Sequence, residues 1–61
     1  MMLYIIKNEV QEYINISNEI TLLRMEAHKF DNLLLANEWV ILVNKKHKPR
    51  NKFQVYVGEF D

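Results

Sequence analysis

Ser17-Asn18-Glu19-Ile20-Thr21-Leu22-Leu23-Arg24-Met25-Glu26-Ala27-His28-Lys29-Phe30-Asp31-Asn32-Leu33-Leu34-Leu35-Ala36-Asn37 is the stretch whose reading decides the fold. Ile20, Leu23, Ala27, Phe30 and Leu34 recur in it at spacings of three and four, which sets them on one face of an α-helix. Ser17 or Asn18 can cap its start, with Glu19 at the positive end of the macrodipole. Asn37, tolerant of left-handed backbone, can stop it. At ~1.5 Å per residue this helix would be roughly 27 Å long, enough to cross a small sheet. A second apolar stripe, Leu22, Met25, Leu33 and Ala36, lies away from the first and is interrupted by Lys29, with Arg24, Glu26, His28 and Asp31 on the flanks. A surface helix normally has one such stripe, so the second is either a helix end tucked under the next strand or a surface for a partner.

Outward from this stretch the chain reads as strands. Leu3-Tyr4-Ile5-Ile6 is a continuous apolar run with side chains for both faces of a sheet. From Val10 to Ser17, Val10, Glu12, Ile14 and Ile16 alternate against Gln11, Tyr13 and Asn15, with only Glu12 out of place, and a hairpin turning at Asn8-Glu9 would join this run to the first. A short helical turn with Asn8 as cap and Gln11 closing a capping box is the rival, and the β-branched isoleucines favour the strand. Trp39-Val40-Ile41-Leu42-Val43 and Phe53-Gln54-Val55-Tyr56-Val57 read as an antiparallel hairpin with the polar residues 44–52 at its tip. The expectation is a single domain over residues 1–61, of α+β class. It comprises an antiparallel sheet of three or four strands, ordered β-β-α-β-β or β-α-β-β, with one amphipathic helix on one face.

Composition narrows the function classes. The 61 residues are 49% hydrophobic with one glycine and one proline, too apolar and too poor in breakers for disorder. A domain this small buries only about 60% of its unfolded surface, so disulfides, a metal or association usually reinforce it. Cysteine is absent, which removes disulfides and thiolate zinc sites, and the two histidines, His28 and His47, lack ligand spacing. No metal or cofactor is therefore expected, and association remains. Met1 to Ile6 is too short and too poor in flanking signals for a leader or a membrane span, which predicts a soluble, cytoplasmic chain with no membrane partner. The sequon Asn15-Ile16-Ser17 is then without consequence.

Catalytic constellations are missing. His28 and Asp31, three apart on the expected helix, have no third ligand or nucleophile beside them, and Ser17 and Thr21 read as helix-start residues. Gly58, the only glycine, makes no phosphate loop. No catalytic residue is assigned, and no enzyme activity or small-molecule substrate is expected.

Two surface features carry the functional expectation. No second helix exists to cover the far face of the sheet, which would carry Val40, Leu42, Tyr56 and Phe60. Together with Leu22 and Met25 of the outer helix stripe these residues form an expected protein interface. The leading reading is a non-enzymatic protein-binding module that self-associates or docks on a larger protein, acting as an inhibitor or regulator. The alternative is nucleic-acid binding by the basic hairpin tip. Lys45, Lys46, Lys48, Arg50 and Lys52 are five of the eight basic residues, so the tip carries +5 against −5 for the remainder. Concentrated cations suit phosphate contacts, although no aromatic residues are interleaved with them to stack on bases.

Overall fold

The computed structural model describes residues 2–59. The fold is α+β. Strands β1 (Met2–Lys7), β2 (Tyr13–Ile14), β3 (Ile20–Thr21) and β4 (Gln54–Glu59) form one antiparallel sheet in the order β3-β2-β1-β4, and a single helix, α1 (Leu33–His47), packs on one face. The elements run β-β-β-α-β, so the helix comes one element later than the periodicity of residues 17–37 placed it.

Two hairpins of the same construction open the chain. In the first, the side-chain oxygen of Asn8 accepts the backbone N–H of Val10 (3.2 Å) and of Glu12 (3.0 Å), the N–H of Gln11 reaches the carbonyl of Asn8, and Gln11 turns left-handed at φ 63°. Seven residues on, Asn15 accepts from Ser17 (3.0 Å) and Glu19 (2.9 Å), Asn18 N–H reaches the carbonyl of Asn15, and Asn18 is left-handed at φ 61°. This is a three-residue hairpin loop, a tight turn closed by one residue in the left-handed region. An asparagine immediately before each loop supplies the side-chain acceptor that organises it. The expected hairpin at Asn8-Glu9 is therefore present. The strand expected over Val10 to Ser17 is trimmed to Tyr13–Ile14 because a turn consumes each of its ends.

The stretch from Ser17 to Asn37 is not one helix. It contains the second turn, β3, a single 3-10 turn at Arg24–Glu26, and an extended segment in which Phe30 exchanges both backbone hydrogen bonds with Tyr4 (2.8 and 2.7 Å). The helix begins only after Asn32, whose side chain accepts the N–H of Leu35 at 3.1 Å. That cap lies inside the span read as helical, and it, rather than Ser17 or Asn18, satisfies the orphan donors. Trp39-Val40-Ile41-Leu42-Val43, read as a strand, is the middle of α1: a short apolar run bears no periodicity that separates a strand from a buried helical segment. Lys48 ends the helix in left-handed conformation, φ 46°, with its N–H on the carbonyl of Asn44, and Pro49 follows.

Two clusters of apolar side chains hold the layers together. Between sheet and helix lie Ile6, Ile14, Phe30, Ala36, Val43 and Phe53, with Tyr4, Trp39, Val40 and Val55 packed around them. On the other face Ile5, Tyr13 and Ala27 are buried beside Tyr56. The segment around the 3-10 turn thus shields the far face of the sheet, which was expected to be bare. Asn8 is the one buried polar residue described. Its amide donates to Glu12 Oε1 at 2.7 Å and to the carbonyl of Asn51 at 3.3 Å, tying the first turn to the approach of β4. Asn44 does similar work from the helix, donating to the carbonyl of Phe53 (3.0 Å) and accepting its N–H (2.9 Å).

Candidate protein-binding surface

Helix α1 carries large apolar residues on its outer as well as its inner face. Ala36 and Val43 face the core with Trp39 and Val40 beside them, the i, i+3, i+4, i+7 spacing of a buried face. The rest of its circumference, where a helix at a protein surface is ordinarily polar, carries Leu34 (67% exposed), Ile41 (65%) and Leu42 (61%), with Leu33 and Leu35 about half exposed. The charged residues among them are Glu38 and, in the last turn, Lys45 and Lys46. Leu35, Glu38, Trp39 and Leu42 line a groove of about 310 Å³ that the second turn closes with Asn18.

Asn18 fixes that turn to the helix. Its carbonyl accepts from His47 Nε2 at 2.9 Å, and since a carbonyl can only accept, that ring nitrogen carries the proton. The side-chain oxygen of Asn18 is buried with no hydrogen-bond partner among the described residues. The groove is therefore a mainly apolar trough bordered by Asn18 and Glu38.

The residues expected to form an interface do not share one face. Leu42 is on the outer side of the helix, and Val40 is half buried against the core. Tyr56 lies on the opposite face of the sheet, half buried, with Lys7 Nζ 4.6 Å from its ring centroid. The cause is the helical state of residues 39–43, which turns an expected alternation into a rotation of about 100° per residue. Leu22 (72% exposed) and Met25 (81%) are exposed as expected, but at the 3-10 turn and its approach rather than on a helix stripe. Phe60 lies outside the described residues. Leu33 belonged to the expected second stripe, whereas Leu34, Leu35 and Ile41 were not expected on an outer helix face, and reading 33–47 as one helix would have placed them there.

The basic run is not a hairpin tip. Lys45, Lys46 and His47 occupy the last turn of α1, Lys48 is its cap, and Arg50 and Lys52 follow in the connection to β4. Cations at a helix C-terminus are stabilised by the negative end of the macrodipole, which accounts for much of this concentration without any ligand. His28 and Asp31, expected three apart on a helix, lie in an extended segment. The His28 ring meets Phe30 edge-on at 4.4 Å and Trp39 at 5.4 Å, and burial, aided by Lys29, pulls its pKa below the ordinary 6.5. It serves as part of the aromatic packing around Trp39. Among the described residues no group of three or more His, Asp or Glu could hold a metal ion, and no helix is long and apolar enough to cross a membrane. No protein-family model, curated protein or solved structure matches the chain, so its function has to be read from the chemistry of this surface.

Proposed function

We propose that this chain is a protein-binding module that acts by contact, laying the outer face of α1 against an apolar surface of another protein and so regulating it. The observation that carries this reading is the exposure of Leu34, Ile41 and Leu42 on a helix whose inner face is already satisfied by its own core. Large apolar side chains exposed together, here with the charged Glu38 between Leu34 and Leu42, mark interaction sites. The Leu35–Trp39–Leu42 groove would take an apolar side chain of the partner.

The test is the double variant Leu34→Glu with Leu42→Lys, in which both changed residues are exposed and the fold should survive. Each buried leucine is worth roughly 1.5–3 kcal/mol, so the pair should weaken a complex by about 100-fold or more. The wild-type chain should co-elute with a stoichiometric partner from an extract of its native cells, and the variant should elute alone with an unchanged circular dichroism spectrum. A complex indifferent to the double substitution would refute the proposal.

A further inference from the structure

The two edges of the sheet are not alike. β3, at one edge, has two residues. β4, at the other, has six, Gln54-Val55-Tyr56-Val57-Gly58-Glu59, without the lysine, proline or bulge that usually blunts an exposed edge. The hydrogen bonds of Tyr4 identify which backbone groups of β4 are open. Tyr4 gives its N–H and C=O to Phe30, on the side of β1 away from β4, so its opposite residue Val57 makes no ladder bonds with it. The alternation then assigns the β1–β4 bonds to the pairs Leu3–Gly58, Ile5–Tyr56 and Lys7–Gln54. Phe53, Val55, Val57 and Glu59 consequently point outward. Phe53 is already answered, because the Asn44 amide holds both its N–H and its C=O. Among the described residues no hydrogen bond reaches the outward groups of Val55 or Val57.

We infer that this open edge pairs with the same edge of a second copy, β4 against β4 in antiparallel register about a two-fold axis at Val57. The inference rests on the reading that the chain works by binding protein, but through a different surface. The Asn44 clamp sets the register. Centring the pair on Val55 or Tyr56 would bring Val57 or Glu59 opposite the Phe53 groups that Asn44 occupies, whereas centring it on Val57 uses every open outward residue. Val55 then lies opposite Glu59 of the second copy, and Tyr56 opposite its Gly58, an aromatic ring over the gap a glycine leaves.

Charge favours the second copy as the occupant. β4 is approached through Arg50 and Lys52 and ends at Glu59, so antiparallel pairing sets the basic approach of each strand toward the acidic end of the other. The net charge of zero leaves little global repulsion between copies. The axis of such a pair is perpendicular to the sheet, which places both helices on the same face. Val57 is itself 55% exposed, so the pair would hide its apolar side chain as well as backbone.

Because the chain has no cysteine, single thiols report the geometry cleanly. In a hydrogen-bonded antiparallel pair the facing Cα atoms are about 5.5 Å apart, within the range of a disulfide. A Val57→Cys chain under mild air oxidation should become a covalent dimer, and a Leu42→Cys chain should not. In sedimentation the wild type should dimerise. Val57→Pro should raise the dissociation constant about ten-fold or more with an unchanged circular dichroism spectrum, since the N–H it removes takes no part in the β1–β4 ladder. Val57→Lys, which keeps that N–H but sets a charge at the seam, should weaken the dimer as well. A dimer that crosslinks through Leu42→Cys and ignores Val57→Pro would overturn the edge pairing while leaving the helix-face proposal standing. A monomeric wild type whose Val57→Pro variant loses a different protein would give the edge to another protein's strand and overturn the second copy.

Discussion

Asn8 and Asn15 occupy equivalent places in two hairpins, seven residues apart, in different surroundings. Each receives two backbone N–H groups on its side-chain oxygen, but Asn8 is 1% exposed and also spends its amide on Glu12 and Asn51, whereas Asn15 is only partly buried. Removing a buried partner strands the groups it served, and removing a wet one hands them to water. Asn8→Ala should therefore cost about 2–3 kcal/mol and Asn15→Ala about 1 kcal/mol. Urea denaturation of the two variants checks the difference, and equal midpoints would contradict it. The first hairpin was legible in the sequence because the β-branched Ile14 and Ile16 favour a strand after Asn8-Glu9 over a helical turn capped by Asn8. The second was not, because Asn15, Ser17 and Asn18 also fit the approach to a helix, and a side-chain acceptor serves a turn and an N-cap by the same chemistry.

At the scale of the element, what misled the reading was a helix with large apolar residues on both its inner and its outer face. Strands β1 and β4 were found where expected. In α1 the inward set Ala36, Trp39, Val40 and Val43 is a sound helical pattern, but Leu34, Leu35, Ile41 and Leu42 fill the gaps that would have displayed it. The excess of apolar surface was thus visible in the sequence, and its location was not. The start of α1 offers the sharper check. Asn32 caps it through a 3.1 Å bond from the Leu35 N–H, while Asn37, expected to terminate a helix, is exposed in its interior. Asn32→Ala should lower stability by about 1 kcal/mol, and Asn37→Ala should leave it within about 0.5 kcal/mol, read from thermal melting of each variant.

For the whole molecule the question is which forces bring it to a partner. A standard protein interface takes about 800 Å² from each side, a large part of the 4499 Å² this chain exposes, so one contact would change the character of its entire surface. Both surfaces argued above are apolar or backbone-mediated, and the charges near them lie at the margins. Raising sodium chloride from about 0.1 M to about 1 M shortens electrostatic reach from roughly 10 Å to 3 Å. Association through these surfaces should survive that change, as sedimentation at the two salt concentrations would reveal. A partner held by Lys45, Lys46, Lys48, Arg50 and Lys52 would instead be released.

The two-residue length of β3 bears on how far such assembly can go. Joining at β4 consumes the single long margin each molecule owns, and the margin left on the outside is too brief to template another strand. Growth halts at a closed pair instead of running on into a fibril. Lengthening β3 by a few β-branched residues would remove that stop and make a polymer of a dimer.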